Sequence, residues 1–250
     1  MTNQTIISLE QVTKQFGDLF ALQDISFEVA EGERIALLGP SGSGKTTLMN
    51  LLTRTIHADQ GEIELAGQNI KKYVNQKEYA KLVGVLRQQF DLVNNLSVIN
   101  NVLVGRFNEW GTFKSFLSLF KAQDLKIAQS ALNKVGMVDK IFEVTANLSG
   151  GEQQRVAIAR LLVQDPKIIL ADEPVSSLDP TNARIVLKLL NHLVNEDQRT
   201  LVASMHSVEL SLEFFSRIIG IRAGQIVFDK KVDDVGESMF KDLYEVKRNG

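Results

Sequence analysis

The chain has 250 residues, no cysteine and a formal net charge of −2 at pH 7. This length allows one α/β domain with subdomains, and the charge excludes a strongly basic surface for nucleic acid. The lack of cysteine excludes disulfides and thiolate metal sites and is compatible with a reducing compartment. No stretch approaches the roughly 20 apolar residues that span a bilayer, and the N-terminus lacks a signal-peptide pattern, so any membrane role requires a partner.

The N-terminal part of the chain is predicted to form strands and turns around one phosphate-binding loop. Alternating apolar and polar residues at 25–29 and 62–65 predict half-exposed antiparallel strands, whereas the apolar run at 34–38 predicts a buried strand. Residues 39–46, GPSGSGKT, follow that strand and match the P-loop pattern at every fixed position. The residues after the loop have the pattern of a helix.

The loop predicts a nucleoside triphosphate site, because its successive backbone N–H groups would form a nest for phosphates. Lys45 would neutralise the β- and γ-phosphate oxygens, and the Thr46 hydroxyl would bind Mg²⁺. The candidate nucleotide-binding residues of this loop are Gly39, Pro40, Ser41, Gly42, Ser43, Gly44, Lys45, Thr46 and Thr47.

Residues from about 90 to 162 have a helical pattern, and they follow a short apolar strand at 83–86 and the pair Gln88 and Gln89. An apolar stripe at helical spacing lies within residues 107–120. Its members are Phe113, Phe116, Leu117 and Phe120. The stripe is about equally consistent with packing inside a helical subdomain and with a groove for a short helix of a partner protein.

A second glycine-rich element, LSGGEQQR, occupies residues 148–155 and runs into a helical pattern. Gly150 and Gly151 allow the backbone to approach an anion closely, and Ser149 supplies a hydroxyl at a helix N-terminus, where the dipole favours negative charge. A capped surface helix is the alternative. The element predicts a second phosphate-binding surface in the same chain.

The apolar run that starts at Lys167 predicts a strand ending in Asp172, Glu173 and Pro174. Ligands bind where the carboxyl ends of parallel strands converge, so Asp172 is expected near the P-loop, holding Mg²⁺ directly or through water. Glu173 would polarise the attacking water. Taken alone, the acidic pair is more typical of a turn after a buried strand, but beside the two glycine-rich elements it favours catalysis.

The last predicted elements alternate between strands and helices, as βαβ units require. The apolar run at 200–204 predicts a strand, and His206 follows its end. Residues 239–250 form a short charged amphipathic tail.

These elements, in this order, resemble the motifs of ATP-binding-cassette (ABC) ATPases. The family signature LSGGQ is similar to residues 148–152, with Glu152 where the usual pattern has Gln. Residues 167–174 resemble the Walker B motif with its catalytic glutamate, and residues 177–179 resemble the D-loop, which puts Asp179 at the dimer seam. The resemblance implies an α/β fold: a P-loop NTPase core with a mainly parallel sheet, an antiparallel β subdomain and an inserted helical subdomain.

The resemblance also implies roles that spacing leaves open. His206 matches the switch histidine that contacts the γ-phosphate. Gln88 matches the glutamine that senses Mg²⁺ and the attacking water, because Phe90 aligns with the family's aromatic residue, and Gln89 is the alternative. Phe16 occupies the place of the aromatic residue that stacks on adenine, although a strand-end core phenylalanine fits the pattern nearly as well.

The resemblance implies a head-to-tail dimer in which the signature element of one subunit closes over ATP bound by the other. The predicted catalytic residues are Lys45, Gln88, Glu173 and His206, and the predicted Mg²⁺ ligands are Thr46, Gln88 and Asp172. The predicted nucleotide-binding set beyond the P-loop is Phe16, Ser149, Gly150, Gly151 and Asp179. The predicted division of this single domain is an α/β core at 1–88 and 165–230, a helical signature subdomain at 89–164 and a tail at 231–250.

A narrower resemblance, to the ATP-binding subunits of phosphonate importers, is carried by residues 90–105, 135–138 and 177–186. It implies membrane permease subunits and an extracytoplasmic substrate-binding protein as partners, and a peripheral position on the cytoplasmic face of the cell membrane. The departures are Glu152 and SMHS at 204–207, and neither removes a phosphate-contacting group. The alternatives are an efflux or lipoprotein-release ATPase, a non-transport ABC ATPase and a P-loop kinase, which leaves the second glycine-rich element unexplained.

Overall fold

The computed structural model describes residues 4–106, 122–196 and 198–245. Their strands are β1 (Thr5–Phe16), β2 (Leu19–Ala30), β3 (Arg34–Leu38), β4 (Gln60–Leu65), β5 (Gln68–Asn69), β6 (Val83–Leu86), β7 (Ile168–Asp172), β8 (Thr200–Ser204), β9 (Arg217–Arg222) and β10 (Gln225–Lys231). Their helices are α1 (Lys45–Leu52), α2 (Gln76–Leu82), α3 (Val98–Leu103), α4 (Ala122–Lys134), α5 (Gly150–Gln164), α6 (Pro180–Glu196), α7 (Val208–Phe214) and α8 (Glu237–Tyr244).

The chain folds into two compact units. The described residues of the first unit fall in 4–74, 170–174 and 198–245, and those of the second unit in 75–106, 122–169 and 175–196.

An antiparallel sheet with the strand order β2-β1-β4-β5 belongs to the first unit. Leu9 of β1 lies opposite Phe27 of β2 and Ile63 of β4, and all three side chains are buried. Side chains alternate between the two faces of a strand, so this register puts the apolar set on one face and the polar set in solvent. The antiparallel strands predicted from the alternation at 25–29 and 62–65 are confirmed.

The part of a second sheet that lies in the first unit has the order β10-β9-β3-β8-β7. β3 runs parallel to both β8 and β9, and β9 and β10 form an antiparallel pair. All of β8 and all but the first residue of β3 are buried, as expected for strands covered on both faces. The parallel register brings the carboxyl ends of β3 and β8 to the same edge, where the P-loop and His206 follow them.

Helices α3, α4 and α5 pack against one another in the second unit. The buried Asn101 of α3 supports this packing: its side chain accepts from Val93 N at 2.8 Å, and its Nδ2 donates to Val93 O at 3.0 Å and to Thr145 Oγ1 at 2.8 Å. Burying an amide is favourable only when its donors and acceptors are paired, and these bonds meet that requirement.

The apolar stripe predicted at 107–120 lies outside the described residues, so both interpretations of it stay predictions. Helix α2 was not predicted; the side chain of Asn75 caps it by accepting from Lys77 N at 2.9 Å. None of the helices in the described ranges combines the length and the apolar character needed to cross a bilayer.

Candidate nucleotide-binding site

The P-loop connects β3 to α1 in a conformation that only glycine fits at two positions. Gly39 has φ 154°, and a Cβ there would lie 2.0 Å from the carbonyl oxygen of Ile221. Gly44 has φ 110°, and a Cβ there would lie 2.6 Å from the carbonyl oxygen of Ala21. The loop is therefore clamped between neighbouring backbone segments, which holds it in one shape.

Lys45 is buried, and its ammonium group bonds to the first residues of the loop. Nζ donates to the carbonyl oxygens of Gly39 at 2.7 Å and Pro40 at 3.1 Å. Burial lowers the pKa of Lys45, while the carboxylates of Glu173 and Asp172 oppose that shift. A cation that has lost much of its hydration gains from anionic oxygens brought into the loop, which is the property a phosphate site needs.

The carboxylate that ends β7 and the one that follows it are organised by the hydroxyl of Ser204, at the end of β8. Ser204 Oγ donates to Asp172 Oδ1 at 2.6 Å and accepts from Glu173 N at 2.8 Å. Glu173 has φ 49°, a left-handed conformation that is uncommon for a residue with a side chain. The Ser204 bonds therefore hold a strained turn that directs the two consecutive carboxylates differently.

His206 contacts the predicted catalytic glutamate. Its Nε2 lies 2.6 Å from Oε1 of Glu173. An ionised carboxylate only accepts hydrogen bonds, so Nε2 carries the hydrogen when Glu173 is charged. The imidazole is 44% exposed and the carboxylate 23%, so both groups are accessible to a bound ligand.

An open cleft of about 820 Å³ within the first unit joins the P-loop, Glu173 and His206. It is lined by Phe16, Asp18, Leu19, Phe20, Ala21, Ser41, Gly42, Ser43, Gly44, Lys45, Thr46, Thr47, Glu173, His206 and Ala223. Phe16 is 50% exposed, and Lys14 Nζ lies 5.2 Å from its ring centroid, so Phe16 is not a core residue. Roughly 300–1,000 Å³ is usual for ligand clefts, so the space is sufficient for a nucleotide.

The glycine-rich signature element starts α5 in the second unit. Ser149 is the N-cap of a reciprocal capping box, in which its Oγ accepts from Glu152 N at 3.4 Å and its N–H donates to Glu152 Oε2 at 2.8 Å. Ser149 Oγ also donates to Glu152 Oε2 at 2.8 Å. A Cβ on Gly150 would meet nothing within 4 Å, and one on Gly151 would make only ordinary contacts. Ser149 and Gly150 are exposed, so the N-terminal turn of α5 presents donors to solvent.

The other predicted residues of the second unit are also at its surface. Asp179 caps α6, because its Oδ1 accepts from the N–H groups of Thr181 and Asn182 at 3.0 and 3.1 Å. These bonds and the Asn182 side chain lower the pKa of Asp179. Gln88 is exposed after β6.

Arg160 of α5 holds the segment that follows Gln88 in the same unit. Its guanidinium donates to the carbonyl oxygens of Phe90 at 2.7 Å and Asp91 at 2.6 Å. Phe90 and Asp91 both have left-handed φ values, 56° and 47°. The Arg160 fork thus fixes a strained turn and connects the signature helix to the region of the predicted sensing glutamine.

The first unit brings Phe16, the P-loop, Glu173 and His206 into one cleft, while Gln88, Ser149 to Gly151 and Asp179 belong to the second unit. Sequence reasoning assigned no role to two residues that bond to these groups: Ser204, which contacts Asp172 and Glu173, and Lys140, whose Nζ lies 2.7 Å from Glu152 Oε1. In the sequence, Ser204 was noted as the last residue of an apolar strand and as part of the departure SMHS at 204–207.

A P-loop that follows a buried parallel strand, with a strained glutamate and a histidine at the same cleft, defines a P-loop nucleoside triphosphatase. The family model described as ABC transporter matches residues 22–176. The phosphonates import ATP-binding protein PhnC of Lactobacillus gasseri is 43% identical over 246 residues, covering 97% of this chain and 94% of that protein. PhnC of Pseudomonas putida is 41% identical over 241 residues, covering 95% and 89%.

Among solved structures, a dimeric ATP-binding cassette in a post-hydrolysis state with ADP and phosphate has a TM-score of 0.79 at 30% identity. That similarity covers 91% of this chain and 99% of the other. The chain belongs to the ABC transporter family, and its predicted ABC ATPase fold is confirmed.

Proposed function

We propose that this chain is the ATP-hydrolysing motor subunit of an ABC importer for phosphonates or a related phosphorus oxyanion. The observation that carries the enzymatic part is the cleft in which the P-loop, Lys45, Glu173 and His206 meet. The assignment of the cargo rests on 39–43% identity, over nearly the whole chain, to relatives named as phosphonate import ATP-binding proteins.

The catalytic steps follow from the charges of the cleft. P-loop N–H groups and Lys45 Nζ bind the β- and γ-phosphate oxygens of ATP. Glu173 orients a water and takes its proton as the water oxygen attacks the γ-phosphorus and the bond to the ADP oxygen breaks. His206 Nε2, whose hydrogen is directed at Glu173 in the structure, turns that hydrogen to the γ-phosphate once ATP is bound.

Mg²⁺ is proposed as the cofactor, held by Thr46, Asp172 and Gln88. A hydroxyl, an amide and a carboxylate whose Oδ1 is already oriented by Ser204 supply the hard oxygen ligands that Mg²⁺ prefers beside water and phosphate. When bound, the metal would neutralise charge on the phosphate oxygens. The residues of the chain still position the water and accept its proton.

The dimer is a head-to-tail pair in which Ser149, Gly150, Gly151 and Asp179 of one copy cover ATP bound by the other. The open space at Gly150 supports this arrangement, because the described residues give no packing reason for a glycine that weakens a helix. A glycine without such a reason is explained by the close approach of a ligand or partner from outside. The cover excludes bulk water from the γ-phosphate.

The remaining parts of the proposal concern assembly. The motor acts on integral-membrane permease subunits at the cytoplasmic face of the cell membrane, with an extracytoplasmic binding protein delivering cargo. Residues 1–88 and 165–230 act as the α/β core, 89–164 as the helical signature subdomain and 231–250 as the tail. Phe16 stacks on adenine, and Gln88 rather than Gln89 senses the nucleotide.

The test is Glu173→Gln, read in two ways. The purified variant should lose ATP turnover but form a stable dimer with ATP on a sizing column, because the glutamine keeps the shape and loses the base. Cells carrying it should lose uptake of a labelled alkylphosphonate, and in cells with the native chain only phosphonates, not phosphate or phosphite, should compete. A variant that stays monomeric with ATP contradicts the head-to-tail dimer. Unchanged uptake contradicts the phosphonate cargo and leaves efflux as the function to test.

A further inference from the structure

The signature element of this chain carries a carboxylate where it faces the proposed phosphate site. Glu152 Oε2 accepts from Ser149 N and from Ser149 Oγ, each at 2.8 Å. A hydroxyl has one hydrogen, so Ser149 cannot donate to Glu152 and to a phosphate oxygen at the same time. The carboxylate also brings a negative charge to a surface that must receive the anionic γ-phosphate.

A lysine from outside the helix engages the other oxygen of this carboxylate. Lys140 belongs to the three-residue turn Val138–Lys140 of the same unit, and its Nζ lies 2.7 Å from Glu152 Oε1. The distance from Lys140 Nζ to Glu143 Oε2, on a second carboxylate nearby, is 3.7 Å. Lys140 therefore pairs with Glu152 first, and both Glu152 oxygens are occupied.

We infer that Lys140 is a positioning residue for ATP-driven dimerisation: it neutralises Glu152 and weakens the hold of that carboxylate on the Ser149 hydrogen. The Ser149 hydroxyl, which donates to Glu152 Oε2 in the structure, then exchanges this bond for one to the γ-phosphate held by a second copy. This inference rests on the proposed head-to-tail dimer. With Lys140 present, the signature is electrically equivalent to one that carries a neutral residue at position 152. Without it, the uncompensated charge of Glu152 holds the Ser149 hydrogen more strongly and repels the phosphate.

The hydrogen bonds of Glu152 to Lys140 and Ser149 agree with this role. The bond to Lys140, followed by the bonds to Ser149, lowers the pKa of Glu152 to about 2, so the carboxylate stays charged and needs a counter-charge at neutral pH. The same bond raises the pKa of Lys140, which keeps the lysine charged. The pair is at the surface, so it contributes little to folding, and a functional reason for it is the simpler one.

The test is a double-mutant cycle in the Glu173→Gln background, with the ATP concentration for half-maximal dimer as the readout. Lys140→Met should raise that concentration about tenfold, the effect expected for one unscreened charge beside a phosphate. Glu152→Gln should dimerise at least as well as its parent. The double variant Lys140→Met with Glu152→Gln should match Glu152→Gln within about twofold, because no charge is left to neutralise.

The control is Lys126→Met, which removes an exposed lysine of α4 in the same unit and should leave dimerisation unchanged. All variants should unfold at nearly the parent's temperature. A Lys140→Met variant that dimerises like its parent overturns the inference, and so does a loss that Glu152→Gln does not rescue, since that result indicates a structural lysine. A parent that forms no dimer with ATP overturns the proposed dimer, and the inference fails with it.

Discussion

Replacing Gly150 with alanine should separate the folding of one subunit from its association with another. Gly150 is the first residue of α5, has no positive φ, and a Cβ there meets nothing within 4 Å. Alanine restricts the unfolded chain and favours the helix, so the free energy of unfolding should rise by about 0.5 kcal/mol. With a urea m-value of about 1–3 kcal/mol/M, the midpoint should rise by about 0.2–0.5 M.

The same methyl group should oppose dimerisation. If the N–H groups of this turn contact the partner's ATP, an added methyl overpacks that contact at a cost of about 1–3 kcal/mol. In the Glu173→Gln background, the ATP concentration for half-maximal dimer should therefore rise about fivefold or more. Gly39→Ala is the control with the opposite expected effect on stability. Gly39 has φ 154°, and a Cβ there would clash with the carbonyl oxygen of Ile221, so the variant subunit should be destabilised.

Two results would refute the reasoning. A Gly150→Ala subunit that loses more than about 1 kcal/mol of stability needs its glycine for internal packing, and the argument from open space then fails. A variant that is stabilised as expected and dimerises like its parent would mean that this turn does not lie at the ATP-bound seam.

Two other predictions concern the carboxylates of the two units. Ser204→Ala should lower the free energy of unfolding by about 2–3 kcal/mol and slow ATP turnover, because Asp172 loses a hydrogen-bond donor and Glu173 N–H loses an acceptor. Ser204→Thr keeps the hydroxyl and serves as the control. Denaturation and steady-state ATPase assays measure the two effects, and parent-like stability of the alanine variant would contradict the network. Glu152, with its pKa lowered from 4.5 to about 2, stabilises the native state above pH 4.5 and loses that contribution as the pH falls from 4.5 to about 2. Because the ion pair is at the surface, urea unfolding across this window should show an acid loss that is smaller by only about 0.2–1 kcal/mol for Glu152→Gln, and equal losses would contradict the assignment.

These predictions test different parts of the site, because its residues are divided between the two units. Variants of Ser204 and Glu173 act on the first unit, whose cleft is proposed to bind the nucleotide: Glu173 lines that cleft, and Ser204 bonds to Glu173 from behind it. Variants of Gly150, Glu152 and Lys140 act on the second unit, whose open turn is proposed to meet the partner. A variant of the second group that lost nucleotide binding by a monomer would argue against the head-to-tail arrangement.

The sequence alone determined the P-loop and its place in the fold. A phosphate nest needs left-handed backbone at fixed positions and a lysine at a fixed distance along the chain, so the requirement is local and appears as the pattern at 39–46. The strands before Glu173 and His206 were predictable for a similar reason, because buried strands are short apolar runs with polar ends. The signature was recognisable because a helix N-terminus that binds an anion uses adjacent small residues.

Only the tertiary structure decided which of these groups touch. Ser204 bridges Asp172 and Glu173 from 31 or more positions away along the chain, because β8 and β7 are neighbours in the sheet. Lys140 meets Glu152 because a turn before α5 folds back onto its first turn. No spacing rule encodes such pairs, since they depend on how separate elements pack. The chemistry of each motif is local in the chain, whereas the charge balance around it is set by non-local contacts.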